Sequence, residues 1–264
     1  MKIGVFDSGL GGLIVAKSLM ESNLGLTFAY LGDTANLPYG NKSADKIYEC
    51  SRRSVDYLFR EQDCSIIIIA CNTASITALR RLQREYLPEN FPDRRILGIA
   101  IPTLEHVMEK GHKNIGLIAT NATVKSGLYD IELKKLDPEI KLESLATPLL
   151  VPLIEDGGDK YAEEILRDYL APFHEKDALI LGCTHYPKYK ELIRKILPGV
   201  DIISQDEIIP GKLADYLARH PEFQIEKNGS HFFGITDLTE NYIAGAKKLF
   251  GMEMPIAKVA IEGQ

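Results

Sequence analysis

Short apolar runs alternate with longer stretches of helical periodicity along this chain. Runs at 2–6, 27–31, 65–70, 96–99, 114–119, 142–145, 178–181, 201–204 and 231–235 predict strands, and several are apolar throughout. That is the pattern of strands covered by helices on both faces. Between them, apolar residues at helical spacing predict helices over 12–20, 44–59, 74–86, 103–110, 125–136, 160–173, 188–196, 208–219 and 240–250. Ser43, Thr103 and Thr236-Asp237 are the expected caps near the starts of three of these. Such alternation predicts an α/β fold with mainly parallel sheets.

The pattern also repeats. Ile3-Gly4-Val5-Phe6-Asp7-Ser8 aligns with Ile115-Gly116-Leu117-Ile118-Ala119-Thr120, 112 positions later. The same offset of 112 separates Ile67-Ile68-Ile69-Ala70-Cys71-Asn72 from Leu179-Ile180-Leu181-Gly182-Cys183-Thr184. Two similar domains related by pseudo-twofold symmetry are therefore expected, with the site in the cleft between them. Pro88-Glu89-Asn90-Phe91-Pro92-Asp93 is Pro-rich and polar, and marks one crossing; a second falls near 204–210. The expected division is a discontinuous first domain, 1–94 plus 208–264, and a second domain, 95–207.

Composition narrows the partners. The chain has 264 residues and a net charge of −6, so an extended nucleic-acid-binding surface is not expected. A small anionic ligand is still admissible, because a few local donors can hold it. No apolar run approaches the length that spans a bilayer. Met1-Lys2 leads straight into a strand pattern, so no signal peptide and no membrane partner are expected. The expectation is a cytoplasmic protein whose four cysteines are reduced.

Two of those cysteines sit where chemistry is expected. Cys71 and Cys183 each follow an apolar run and precede polar residues, Asn72-Thr73 and Thr184-His185. In open α/β sheets, ligands bind outside the carboxyl ends of strands. A helix starting beside Cys71 is expected to lower its pKa from the ordinary value of about 8.5. A lone buried cysteine is more often a packing residue, but the repeat and the polar flanks reverse that balance. His185 is placed to stabilise a thiolate or relay a proton. Cys50 and Cys64 lack both features and read as core residues. Zinc spacing is absent (no C-x-x-C and no H-x-x-x-H), so no metal is expected.

Asp7-Ser8-Gly9-Leu10-Gly11-Gly12 follows the first strand and offers backbone N–H groups, a carboxylate and a hydroxyl. It is not a dinucleotide fingerprint, since Ile14 stands where the third glycine belongs, and it is neither a P-loop nor a nucleophile elbow. Leu37-Pro38-Tyr39-Gly40 is a turn that can expose amides. Thr120-Asn121-Ala122-Thr123 is the second-half counterpart of the Asp7-Ser8-Gly9 loop.

Together these segments resemble the glutamate racemases, among the cofactor-independent aspartate/glutamate racemases. The resemblance rests on Asp7-Ser8-Gly9-Leu10-Gly11-Gly12, Leu37-Pro38-Tyr39-Gly40, Ala70-Cys71-Asn72-Thr73-Ala74-Ser75 and Gly182-Cys183-Thr184-His185-Tyr186-Pro187, in this order over essentially the whole chain. It implies cofactor-independent interconversion of L- and D-glutamate, with D-glutamate used for peptidoglycan. Cys71 would take the α-proton from D-glutamate and Cys183 from L-glutamate, with Asp7 and His185 as helpers and Glu155 as the acidic partner of the histidine. Asp7, Ser8, Tyr39, Gly40, Asn72, Thr73, Thr123, Thr184 and His185 would bind the small-molecule substrate. A homodimer is a common arrangement among relatives. Asn36 and Ala119 depart from the usual Arg and Gly of this family.

The alternatives are a broad-specificity or aspartate racemase, a non-catalytic amino-acid binding protein, and a cysteine hydrolase built on Cys183 and His185. A binder needs no paired thiols. A hydrolase leaves Cys71 and the repeat unexplained.

Overall fold

In a computed structural model, which describes residues 1–251 and 254–261, the isoleucines at 66–69 lie in a strand buried on both faces. Ile67 and Ile69 pack into one apolar cluster and Ile66 and Ile68 into another. Period-two alternation thus sends neighbouring residues into different cores, which is why the run must be apolar throughout. Full burial of each such side chain contributes about 1.5–3 kcal/mol.

Ten strands are found among the described residues: β1 Lys2–Asp7, β2 Phe28–Gly32, β3 Cys64–Ile69, β4 Arg95–Gly98, β5 Asn114–Ala119, β6 Lys141–Ala146, β7 Ala178–Gly182, β8 Asp201–Ile203, β9 Phe232–Ile235 and β10 Ile256–Lys258. They form a six-stranded sheet, β10-β9-β2-β1-β3-β4, and a four-stranded sheet, β6-β5-β7-β8. Every strand pairing is parallel. The order β2-β1-β3-β4 recurs as β6-β5-β7-β8, and the register recurs with it. Val5 pairs with Ile68, and 112 residues on, Leu117 pairs with Ile180. The internal repeat is structural.

The expected crossing at 94/95 is corrected. β4 hydrogen-bonds to β3, so residues 95–98 belong to the first sheet. The chain leaves that sheet only after Gly98, through the helix Ala100–Glu109. That helix starts earlier than expected, because Pro102 falls in its first turn, where no amide donor is needed. Thr103 is consequently inside the helix, and its hydroxyl donates to the Ile99 carbonyl at 2.7 Å instead of capping. Ser43 does cap: the Lys46 N–H donates to its Oγ. Near the C-terminus the cap is Thr239, whereas the Thr236 hydroxyl donates to Asp33 Oδ1.

The helix expected over 125–136 is two helices, Asn121–Ser126 and Leu128–Leu136, broken at Gly127 with φ +63°. The helix Leu150–Glu155 and strand β10 were not anticipated. Both are short, and Pro152 within the first masks its helical signal. After β8, the helix Gln205–Arg219 carries the chain back to the first sheet, where β9 joins β2. It begins three residues before the expected 208, because its first turn, Gln205-Asp206-Glu207, is polar and shows no apolar period. No helix among the described residues is long and apolar enough to cross a membrane.

Candidate active site

Cys71 follows β3 and Cys183 follows β7, the two strands that occupy equivalent places in the two sheets. Each thiol therefore stands at a carboxyl strand end, and both line one cavity of about 290 Å³. Ser8, Tyr39, Gly40, Asn72 and Thr73 line it from the first half. Glu155, Thr184 and His185 line it from the second, together with Thr120, Thr147 and Tyr186. Both cysteines are buried, at 6% exposure each.

The two thiols have different neighbours. Ser8 Oγ lies 3.3 Å from Cys71 Sγ. On the other side, His185 Nδ1 lies 3.7 Å from Cys183 Sγ, and His185 Nε2 lies 2.9 Å from Glu155 Oε1. Burial would lower the pKa of His185, but its contacts to Cys183 and Glu155 outweigh burial and raise it to about 10. When the ring carries its proton, both nitrogens donate, Nδ1 toward Cys183 and Nε2 toward Glu155. Glu155 sits on the unanticipated helix Leu150–Glu155, which carries its carboxylate to the histidine.

For Cys71 the expectation of a lowered pKa is overturned. Burial, reinforced by the Asp7 charge, pushes the thiol up to about 12. The Ser8 hydroxyl and the Ala74 amide at the helix start act in the opposite direction but are outweighed. A helix N-terminus offers partial charge, whereas loss of water removes full solvation, and here the second effect is larger.

Asp7 and Thr123 are drawn back from the cavity wall. Asp7 is fully buried, and its Oδ2 accepts the Gly9 and Gly12 N–H groups at 2.9 Å each. Its Oδ1 accepts the Thr184 hydroxyl from the other half at 3.4 Å. Burial raises its pKa, opposed by the His185 charge and by the two amides. Thr123 shares a hydroxyl cluster with Thr120 and Thr73, at 3.0 Å and 3.4 Å, that crosses between the halves. Tyr39 contributes its backbone to the turn, since its hydroxyl is turned away to Asp33 Oδ2 at 2.6 Å.

The glycine-rich loop has a packing reason. A Cβ on Gly11 would fall on Thr184 Oγ1 and lie 2.5 Å from His185 Nδ1. Only glycine lets the first-half loop meet the Cys183-Thr184-His185 loop so closely. Thr120 was legible in principle, since Ser8 and Thr120 are also 112 positions apart. Tyr186 lies in the quoted Cys183 motif without an assigned role, and its partner Thr147, joined to it hydroxyl to hydroxyl at 2.7 Å, had no sequence signal. No group of three or more His, Cys, Asp or Glu side chains among the described residues is disposed to hold a metal ion.

Two matched α/β units with a thiol at the same strand end of each, both lining one cavity, make an acid/base site. The profile of the Asp/Glu/Hydantoin racemases matches residues 29–207, and the chain belongs to that family. A glutamate racemase of Roseobacter denitrificans is 40% identical over 237 residues, covering 84% of this chain and 87% of its own. One from Aquifex aeolicus is 37% identical over 258 residues, 96% of each chain. The crystal structure of the Francisella tularensis glutamate racemase in complex with D-glutamate superposes with a TM-score of 0.89 at 33% identity, covering 100% of this chain and 98% of that one.

Proposed function

We propose that this protein interconverts L-glutamate and D-glutamate without a cofactor, as a cytoplasmic enzyme supplying D-glutamate for peptidoglycan. The observation that carries the reading is the pair Cys71 and Cys183 at repeated strand ends, lining one cavity with hydroxyl and amide donors from both halves. The similarity to glutamate racemases supports glutamate as the substrate.

The chemistry follows from the placement. The α C–H bond of the substrate breaks, its proton passes to the thiolate on one side, and the electron pair stays on the α-carbon and spreads into the α-carboxylate. The thiol on the other side then delivers a proton to the opposite face. Cys71 takes the proton in the D-to-L direction and Cys183 in the L-to-D direction. His185, a cation with Glu155 behind it, faces Cys183 when that sulfur carries charge. Because burial holds the proton on Cys71, the L-to-D direction meets its acid already loaded.

An amino-acid α-proton is very weakly acidic, and a positioned acid or base contributes only about 10²–10⁴-fold. The rest must come from donors aimed at the developing carboxylate charge and from exclusion of water. Asn72, Thr73 and Thr184 supply such donors at the cavity wall. The first sheet with its returning tail and the second sheet act in this reading as two domains that close on the substrate. Assembly into a homodimer is part of the same reading.

The test is circular dichroism of purified protein with each enantiomer of glutamate and of aspartate, no cofactor added. Glutamate signal decaying to zero from both sides supports the reading. Decay with aspartate instead moves the substrate, and no decay with any of them reduces the protein to a binder.

A further inference from the structure

Tyr186 follows His185 directly and opens the short turn Tyr186–Tyr189. Its ring is fully buried, in one apolar cluster with Cys183, Leu150 and Ile154. Its hydroxyl lies 2.7 Å from the Thr147 hydroxyl and donates to the Thr147 carbonyl at 3.3 Å. A buried phenol needs such a partner for its polar end. Thr147 is fixed from its other side as well, since its N–H donates to the Ala119 carbonyl at the end of β5 at 2.9 Å.

Thr147 begins the stretch that leads into the helix Leu150–Glu155, and this stretch walls the cavity through Thr147, Pro148, Val151, Pro152 and Glu155. The wall meets the Cys183 loop at both of its ends. At one end His185 Nε2 lies 2.9 Å from Glu155 Oε1, and at the other Tyr186 holds Thr147. The two partners on the Cys183 loop are neighbours in sequence, so the contacts close a bracket around the wall. Leu150 and Ile154 anchor the helix in the core between them. Where the Glu155 carboxylate stands therefore depends on where the bracket holds this short helix.

We infer that Tyr186 is a positioning residue: through Thr147 it holds the 147–155 wall against the Cys183 loop, so that Glu155 stays on His185. This rests on the reading of the cavity as a glutamate racemisation site. A misplacement of about 1 Å away from the reacting atoms is enough to slow a reaction. The groups that face His185 are Cys183 on its own loop, Glu155 on the wall and Asp7 from the first half. Burial lowers the pKa of the ring, whereas Cys183 and Glu155 raise it. A displaced Glu155 thus lets the ring lose its proton at lower pH. Burial also holds the Tyr186 phenol protonated, well above its ordinary value, so a moved profile reports the imidazole.

The experiment follows kcat/KM against pH, with melting temperatures, for Tyr186→Phe, Thr147→Val, Thr147→Ser, Glu155→Gln and the pair Tyr186→Phe with Glu155→Gln. Tyr186→Phe keeps the ring, and should lower kcat/KM about fivefold and move its alkaline fall to lower pH. Thr147→Val should act in the same direction but less, because the phenol keeps the Thr147 carbonyl. It also carries the test should Tyr186→Phe not fold. Thr147→Ser returns the hydroxyl, and with it the position of the fall. Beside Glu155→Gln, Tyr186→Phe should move the fall no further. A lower melting temperature with the fall in place would mean a structural role alone and overturn the inference. So would a shift that adds in full to that of Glu155→Gln. A wild type that does not racemise glutamate breaks the reading of the site and the inference together, whereas an active wild type beside an unmoved Tyr186→Phe profile overturns the inference alone.

Discussion

The surroundings of Cys71 and of Cys183 share a strand-end position and little else. Cys71 has a hydroxyl from Ser8 and a buried carboxylate, Asp7, nearby. Cys183 has the His185 imidazole, whose contacts to Cys183 and Glu155 favour its protonated form. The same backbone register therefore holds one sulfur that keeps its proton and another that faces a positive charge. A racemase needs this division at any moment, one thiol loaded and the other bare. The fold supplies two equivalent places, and the side chains around them differ, with burial holding the proton on Cys71.

Removing either thiol tests that division most severely. Cys71→Ala and Cys183→Ala should each lower racemisation by about 10²–10⁴-fold, measured by circular dichroism. The remaining thiol should still exchange protons on its own face. Cys71→Ala is then expected to wash α-deuterium out of L-glutamate only, and Cys183→Ala out of D-glutamate only, read by NMR. Exchange with the opposite enantiomer would reverse the assignment of faces. Near wild-type turnover in either variant would sink the two-thiol mechanism.

A smaller effect separates the helpers. The two enantiomers are equal in energy, so kcat/KM must be the same in both directions, and asymmetry appears only in kcat and KM taken separately. His185 carries its proton below about 10 and loses it above, so kcat/KM should fall as pH rises through that value. His185→Asn should cost about 10²-fold at neutral pH and abolish this alkaline fall. Glu155→Gln removes a charge that raises the imidazole, so the fall should move to lower pH, with a loss of about tenfold. An unchanged profile in Glu155→Gln would detach the carboxylate from the histidine.

The smallest effects belong to the other two cysteines. Cys50 and Cys64 are buried in the apolar cluster of the first half, away from the cavity. Cys50→Ala and Cys64→Ala should leave kcat unchanged and lower stability by about 1 kcal/mol each in denaturant titration. A loss of turnover in either would remove the contrast on which Cys71 and Cys183 were singled out.

Much of this was legible without coordinates. Runs such as Ile66 to Ile69 force a strand buried on both faces, and the 112-residue offset carries through to the pairing register. Cys71, Cys183, Ser8, Asn72, Thr73, Thr184, His185 and Glu155 all reach one cavity. The misses have physical causes. β4 went to the first sheet because strand pairing, not local composition, decides membership. The contact of Tyr129 with Asn72 was unreadable because it is one hydroxyl reaching a side chain 57 positions away.

By itself the chain determined its periodicities, its duplicated halves and the residue types able to move a proton, since each depends on neighbours in sequence. The state of those groups was decided only in three dimensions. Cys71 stands beside a helix start that favours its thiolate, yet packing removes the water around it and holds the proton on. His185 is an ordinary imidazole until the fold sets it between Cys183 and Glu155. Local sequence specifies which atoms are present, but desolvation and charge at a few ångströms depend on what the rest of the chain brings against them.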